Sequence, residues 1–254
     1  MRRFYFEGPL ERESVVTLPA ETAHHISSVL RLTSGSQIIL FNGQGISAKA
    51  KLRLAQNDNL QAEITDIQRA QTKPSVKLIL AQALLNSSKF SEVLQKCTEL
   101  GVHSIIPFTC NRSVPYLKND QLAKKAARWQ KIIIEAARQS ERDIPPPIEP
   151  LTRWADLLKH LNAPAQSSGN TLKLIAAARE TRPLKNALRG AAGYDSLMLL
   201  IGPEGGFTEA ELMQTADSGF IPISLSTNIL RTETAGPAAL AMIAYHLSKG
   251  DDDD

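Results

Sequence analysis

The chain has 254 residues, of which 43% are hydrophobic and 22% charged, with a net charge of +3, and this balance is typical of a globular protein rather than a disordered one. No apolar run approaches the roughly 20 residues that span a bilayer, and residues 1–8 lack the apolar core of a secretory signal. The two cysteines, Cys97 and Cys110, have neither a pairing pattern nor metal-ligand spacing, so we expect a reduced cytoplasmic setting, no membrane association and no metal site.

Residues 1–72 have the pattern of a small β domain. Short apolar or alternating segments are separated by turn residues, and one helical segment at 21–30 interrupts them. Several short strands with a single helix predict a small β-barrel. His24 and His25 in that helix are expected to be partly exposed, without a chemical role. The predicted strands are 3–6, 14–18, 37–41, 48–54 and 61–67.

After a linker at 71–75, apolar strands alternate with amphipathic helices, which predicts an α/β domain with a largely parallel sheet over residues 73–250. The four aspartates at 251–254 are predicted to form an acidic, disordered tail, and without them the net charge is +7. The predicted strands are 76–82, 104–108, 172–178, 197–201 and 221–225. The predicted helices are 89–100, 120–139, 152–161, 183–188, 209–217 and 237–247.

The most informative stretch of this second domain is an apolar strand that ends in a glycine-rich turn at residues 202–206. Thr208 and Glu211 fit a capping box, so a helix is predicted to begin there with its positive end near the glycines. This combination at the carboxyl edge of a parallel sheet is typical of nucleotide-like ligand sites. The turn matches neither the dinucleotide fingerprint nor the P-loop, and a turn that binds nothing is the alternative.

A second unusual stretch runs from residue 223 to residue 237. A strand enters a loop of small polar residues that contains Arg231, Glu233 and Thr234, and Gly236–Pro237 is predicted to open the last helix. A loop that only joins a strand to a helix does not need three such polar side chains so close together, so the pattern favours a functional site. The alternative is that Arg231 and Glu233 only pair with each other and cap the helix.

Basic residues concentrate between Arg112 and Arg142, where eight lysines and arginines face three acidic residues. Many lie away from the apolar face of the predicted helix 120–139, so they should form one exposed basic strip suited to RNA phosphates. A solvated helix face is the alternative. Arg2 and Arg3 beside Tyr5 could add stacking and phosphate contacts.

Four motifs in order resemble those of the RsmE family, whose bacterial members methylate N3 of a uridine in the decoding region of 16S ribosomal RNA. They are 95–102 (QKCTELGV), 128–140 (RW followed by IEAARQS), 201–208 (IGPEGGFT) and 229–235 (ILRTETA), and the similarity covers nearly the whole chain. The chain departs from the family pattern at 226–228, where a glycine-containing loop is usual, and at 86–89, which is less glycine-rich and basic.

The resemblance implies an amino-terminal PUA-like β-barrel that binds RNA (1–72) and a SPOUT-type α/β domain with a deep trefoil knot (73–250). It also implies S-adenosylmethionine as cofactor, a homodimer with a shared site, and 16S ribosomal RNA within the small ribosomal subunit as partner. Two alternatives stay open: a SPOUT methyltransferase acting on transfer RNA, and a non-catalytic RNA-binding protein of ribosome assembly.

On this basis Arg231 is expected to stabilise charge that develops on the uracil oxygens, and Glu233 to fix Arg231 or to accept the N3 proton. The residues predicted to bind the cofactor are Ala177, Ala178, Ile201, Gly202, Pro203, Glu204, Gly205, Gly206, Leu225, Ser226, Ile229, Leu230, Thr234 and Ala235. The residues predicted to bind RNA are Arg2, Arg3, Tyr5, Arg31, Arg112, Lys124, Lys125, Arg128, Arg138 and Arg142.

Overall fold

The structure is a computed structural model, and it describes residues 1–55, 59–70, 76–113, 119–162, 169–177 and 180–248. The chain divides into two compact units. The first comprises Met1–Lys73 together with Ile134–Pro145, and the second comprises Pro74–Ile133 and Pro146–Asp254. The boundary expected from the sequence, between residues 72 and 73, does not anticipate that the segment 134–145 belongs with the first unit.

The first unit contains a five-stranded sheet with the order β1-β3-β4-β5-β2. Strand β1 pairs in parallel with β3, and the remaining pairs are antiparallel. A short helix α1 (Ala20–His24) continues into a π-helical turn (His25–Val29). The strands are β1 (Arg2–Tyr5), β2 (Val15–Thr17), β3 (Gln37–Phe41), β4 (Ile46–Leu54) and β5 (Leu60–Arg69).

Alternation in β4 places apolar side chains inward and charged side chains outward, as its sequence predicts. Ala48, Ala50 and Leu52 are buried, whereas Lys49 and Lys51 between them and Arg53 after them are exposed. The buried side chains pack with residues of the other strands and of the helical segment into one core. His24 and His25 are exposed on that segment.

The segment 134–145 joins this unit through partly buried polar contacts. The Arg3 guanidinium lies 5.1 Å from the centre of the Phe41 ring and forms an ion pair with Asp143 at 2.5 Å. The other carboxylate oxygen of Asp143 accepts a hydrogen bond from Ser47 Oγ at 3.2 Å, and Arg138 donates to the carbonyl oxygen of Arg3 at 3.3 Å. Arg3 is therefore a structural residue of this unit.

The burial of the Arg3–Asp143 pair leads to a stability prediction. Asp143→Ala leaves a buried guanidinium without its counter-charge, so we expect the free energy of unfolding to fall by about 3 kcal/mol. Asp66→Ala is the matched control, because its pair with Lys49 (3.8 Å) is about half exposed and should contribute less than about 1 kcal/mol. Urea unfolding followed by circular dichroism measures both, and equal losses would contradict the prediction.

The second unit contains a six-stranded sheet in which every strand pair is parallel, with the order β11-β9-β10-β6-β7-β8. The strands are β6 (Lys77–Ala83), β7 (Ser104–Thr109), β8 (Thr152–Arg153), β9 (Thr171–Ala176), β10 (Ser196–Ile201) and β11 (Ile221–Ile223). The helices are α2 (Ser87–Glu99), α3 (Asn119–Gln139, whose residues from Ile134 onwards belong to the first unit), α4 (Trp154–Asn162), α5 (Leu184–Ala187), α6 (Glu209–Asp217) and α7 (Thr232–Ser248).

Strand β10 is buried along its whole length because apolar side chains cover both faces of the sheet. Leu197, Leu199 and Ile201 belong to one core cluster, while Met198 and Leu200 belong to another. A continuous apolar run is the expected pattern for a strand covered on two sides. The sequence therefore predicted both this strand and the parallel sheet correctly.

Several element boundaries in the second unit differ from the predictions, among them those of β8, β11 and α7. Residues 152–153 form β8 instead of starting a helix, and β11 ends at Ile223. Helix α7 begins at Thr232, five residues before the predicted start, so Pro237 lies inside it. Pro237 is the sixth residue of α7, and because it has no N–H it does not donate the helical hydrogen bond to the carbonyl oxygen of Glu233. No helix in the described ranges has the length and apolar character needed to cross a membrane.

Candidate active site

The carboxyl ends of β9, β10 and β11 border a cavity of about 810 Å³. This is the edge of a parallel sheet where open α/β folds hold their ligands. The cavity walls include three segments that follow these strands and one face of α6. They include Ala176, Ala177, residues 201–207, residues 222–226 and 228–230, and the α6 residues Glu209, Leu212, Thr215 and Ala216.

The glycine turn, residues 202–206, requires its three glycines for two different reasons. A Cβ on Gly202 would lie 2.8 Å from the Phe207 ring, and a Cβ on Gly205 would lie 3.1 Å from the Cβ of Arg112. Gly206 has a φ of +67°, a conformation that side chains disfavour. The first two glycines thus permit close packing, and the third permits the reversal of the chain.

The capping box predicted after the glycine turn is present. Glu211 N donates to Thr208 Oγ1 at 3.3 Å, and Thr208 N donates to Glu211 Oε2 at 2.8 Å. The second carboxylate oxygen of the buried Glu211 accepts from the Asn111 backbone N–H at 2.9 Å. One carboxylate therefore fixes the start of α6 and the loop that follows β7.

Arg112, which we predicted to bind RNA, lies at the cavity and contacts the glycine turn. Its Nη1 donates to the carbonyl oxygens of Gly205 at 3.0 Å and Phe207 at 3.3 Å. Through these two hydrogen bonds the Arg112 guanidinium stabilises the conformation of the glycine turn. The sequence analysis did not predict this role.

The opposite wall is the segment that leads into α7. The backbone N–H groups of Thr234 and Ala235 both donate to the carbonyl oxygen of Arg231 at 2.9 Å, so the predicted loop 231–235 is the beginning of a helix. Ile229 is 77% exposed and lines the cavity, which gives the cavity an apolar edge open to solvent.

The two predicted catalytic residues lie beside the cavity. Arg231 is exposed, and Glu233 is only 13% exposed at its side chain. Instead of pairing with Arg231, Glu233 has an ion pair of 3.6 Å with Lys89 Nζ, and Lys89 also forms an ion pair and a hydrogen bond with Glu204 of the glycine turn. This hydrogen bond and the nearby carboxylates raise the pKa of Lys89, which keeps the ammonium charged.

Sequence reasoning did not select Lys89. A usable signal was present, because Lys89 lies at the start of α2, after the carboxyl end of β6, and β6 is the neighbour of β10 in the sheet. The sequence analysis also did not predict that Glu209, Leu212 and Ala216 line the cavity. Their spacing of three and then four residues on α6 is that of a single helix face.

Most of the predicted cofactor residues come together at the cavity. Thr234 is exposed and is absent from the described lining, and Ala178 lies outside the described residues. The predicted residues that do line the cavity are Ala177, Ile201, Gly202, Pro203, Glu204, Gly205, Gly206, Leu225, Ser226, Ile229, Leu230 and Ala235.

Acidic groups outnumber basic ones in the described lining of the cavity. Glu180, Glu204 and Glu209 contribute three carboxylates, against the single guanidinium of Arg112. The backbone N–H groups of Arg182 and Thr181 donate to the Glu180 carboxylate and lower its pKa, so this group stays ionised. Such a lining favours a ligand with positive charge and disfavours a pyrophosphate.

The predicted RNA-binding residues fall into two groups. In the second unit, Lys124 and Arg128 of α3 are exposed and Lys125 is half-buried. In the first unit, Arg2 and Arg31 are exposed. Four others, Arg3, Tyr5, Arg138 and Arg142, are buried or half-buried and so are less available to RNA than predicted.

Arg3 is buried against Asp143, so the prediction that it contacts RNA is withdrawn. Arg138 forms an ion pair with Glu135, and the hydrogen bond from Arg138 lowers the pKa of the Glu135 carboxyl group. Arg142 is partly buried, and this burial lowers its pKa. Tyr5 is half-buried with its ring edge-on to Phe41 at 5.6 Å, and burial raises its pKa. The predicted basic strip is therefore shortened to the amino-terminal half of α3, which carries Lys124, Lys125 and Arg128. Lys118 of that strip lies outside the described residues.

Comparison with known proteins identifies the family. The chain matches the RNA methyltransferase domain over residues 71–244 and the RNA methyltransferase PUA domain over residues 18–65. It is 33% identical to ribosomal RNA small subunit methyltransferase E of Bacillus subtilis, with 99% of this chain and 100% of the relative covered. The chain belongs to the RsmE family. The resemblance seen in the sequence motifs is thereby confirmed.

Two solved structures of similar proteins contain S-adenosylmethionine. The RsmE of Neisseria gonorrhoeae, bound to S-adenosylmethionine, is 31% identical with a TM-score of 0.85, covering 97% of this chain and 98% of its own. A methyltransferase of Legionella pneumophila in complex with the same cofactor is 29% identical with a TM-score of 0.84, covering 96% and 97%. This RsmE-family chain thus has the α/β fold and a PUA-like amino-terminal domain.

Proposed function

We propose that this protein is an S-adenosylmethionine-dependent methyltransferase of small-subunit ribosomal RNA, acting on N3 of a uridine in the decoding region of 16S RNA. The observation that supports this most is the cavity formed by the glycine turn and the segment leading into α7. Most residues that the family motifs assign to the cofactor line it. The names of the RsmE relatives support ribosomal RNA as the substrate class.

The residues present fit this cofactor. Leu225, Ile229 and Leu230 offer apolar surface for an adenine ring, and the glycine turn leaves backbone groups open to polar atoms. The acidic lining suits a molecule whose sulfonium and amino groups are positive. When bound there, S-adenosylmethionine supplies an electrophilic methyl group.

Proton removal from the base is assigned to Glu233. Uridine N3 carries a proton at neutral pH, and its lone pair becomes a good nucleophile only when that proton leaves. Glu233 Oε2 is buried and has no hydrogen-bond partner in the part of the chain that the structure describes, so it is available to accept the proton. The exposed Arg231 nearby would stabilise the negative charge that spreads onto O2 and O4 of the base.

The finer architecture implied by the family belongs to this proposal. We infer that the amino-terminal sheet closes as a PUA-like β-barrel, that the second unit contains the deep trefoil knot, and that the protein is a cytoplasmic homodimer. Helix α7 supports the dimer because its residues Met242 and Tyr245 are exposed at 42% and 63%, and exposed apolar surface favours association.

The α3 residues Lys124 and Arg128 are proposed to contact RNA phosphates. Replacing both with Gln should weaken binding to small-subunit RNA by about tenfold and reduce the slope of log affinity against log salt by about 1 to 2. Lys159→Gln is the control, since this lysine is 79% exposed on α4. Filter binding at several salt concentrations measures the slope, and an unchanged slope in the double variant would remove α3 from the interface.

The function is tested by supplying labelled methyl donor to the purified protein with three substrates. These are small ribosomal subunits from a strain that lacks the enzyme, naked 16S RNA and bulk transfer RNA. We expect label at N3 of one 16S uridine, located by mass spectrometry of nuclease fragments. Label in transfer RNA would favour the first alternative, and RNA binding without any label would favour a non-catalytic assembly protein.

A further inference from the structure

Lys89 connects the two walls of the cavity. Its ammonium contacts Glu204 in the glycine turn on one side and lies 3.6 Å from Glu233 Oε1 in the first turn of α7 on the other. Glu204 lines the cavity, and Glu233 follows Thr232, which also lines it. One side chain on a third element, α2, thus links both segments that enclose the proposed cofactor.

We propose that Lys89 is a positioning residue for methyl transfer, which ties the glycine turn to the start of α7 and holds Glu233 with one oxygen engaged and the other left to accept from the substrate base. The inference rests on the proposed function. Lys89 is not proposed to contact the reacting atoms. It acts through the carboxylates of Glu204 and Glu233.

The state of the Glu233 carboxylate supports this role. Oε1 is engaged by Lys89, whereas Oε2 is buried without a hydrogen-bond partner among the described groups. A buried acceptor without a partner is unfavourable, and Glu233 directly follows Thr232 of the cavity wall, so the missing donor is assigned to a ligand. The N3–H group of a uracil is a donor of that kind. Without Lys89 the carboxylate would lose the contact that sets its orientation.

An ordinary surface ion pair would have a different arrangement. Lys96 and Glu92 lie one turn apart on α2, both about half exposed, and their 3.3 Å contact connects nothing beyond the helix. Lys89 joins residues that are more than one hundred positions away in the sequence, and its side chain is 32% exposed. The pair on α2 therefore provides a matched control.

The experiment compares Lys89→Met, Lys89→Arg and the control Lys96→Met in the full-length protein. Steady-state methylation at varied concentrations of small subunits gives kcat and KM for RNA, and calorimetry with S-adenosylhomocysteine gives cofactor affinity independently of catalysis. For Lys89→Met we expect kcat to fall by about tenfold or more, KM for RNA to change by less than about threefold, and the Kd for S-adenosylhomocysteine to rise several-fold. Lys89→Arg, which keeps the charge, should recover most of both losses.

Lys96→Met should behave as the wild type. An unchanged kcat and an unchanged Kd in Lys89→Met would overturn the inference, and so would an effect on KM alone, because Lys89 would then bind RNA directly. Failure of the proposed function is recognised separately: the wild type itself would methylate none of the RNAs. In that case a weaker Kd in Lys89→Met alone would still support the link between the two walls.

Discussion

Glu233→Gln is expected to lower the rate of methyl transfer by about 10²- to 10³-fold while leaving the affinity for S-adenosylhomocysteine within about threefold of the wild type. The amide keeps the size and most of the hydrogen bonds of the carboxylate, but it does not accept a proton. The defect should shrink as the pH rises, because uridine N3 then loses its proton to solvent without help. Single-turnover methylation across a range of pH measures this effect.

The isosteric control for this prediction is Glu92→Gln, an exposed carboxylate on α2 that pairs only with Lys96 in the described contacts. It should transfer methyl groups at the wild-type rate. If Glu233→Gln retained full turnover at neutral pH with normal cofactor affinity, the proton would leave by another route and the assignment of Glu233 would be wrong. A uniform loss at every pH would instead indicate that Glu233 has a structural role.

The parts of the fold that the sequence predicted are those that leave a local or periodic signal. Strand β3 and helix α6 were predicted at their observed bounds, because a short apolar segment followed by turn residues identifies the first and the Thr208–Glu211 capping box identifies the second. The unbroken apolar run of β10 indicated a central parallel strand. The cavity followed from these elements, since a glycine turn after such a strand must lie at the carboxyl edge of the sheet.

The contacts that escaped prediction join residues far apart in the chain. Arg3 and Asp143 are 140 positions apart, and the sequence of the β1 strand gives no sign that its arginine is buried. Lys89 likewise reaches Glu204 and Glu233 only because β6 and β10 are neighbours in the sheet. Charge counts therefore overestimated the basic strip, because they do not distinguish a paired arginine from an exposed one.

Gly202→Ala is expected to weaken S-adenosylhomocysteine binding by about 10- to 100-fold. The added methyl would lie 2.8 Å from the Phe207 ring, so the ring must move. Phe108 stacks on that ring at 6.5 Å and Trp154 contacts it at 5.6 Å, which restricts movement away from the cavity that Phe207 lines. Overpacking of this kind costs about 1–3 kcal/mol, and the loss appears in affinity when the displaced ring enters the ligand site.

Gly193→Ala is the matched control for this substitution. A Cβ at Gly193 would meet no atom within 4 Å, and Gly193 is not among the glycines with positive φ, so the same change in residue type should leave affinity unaltered. Calorimetric titration of both variants, after circular dichroism has confirmed that they are folded, separates the steric effect from the general effect of replacing glycine. Wild-type affinity in folded Gly202→Ala would mean that the Phe207 ring yields without reaching the ligand, and the cavity beside the glycine turn would no longer be the favoured cofactor site.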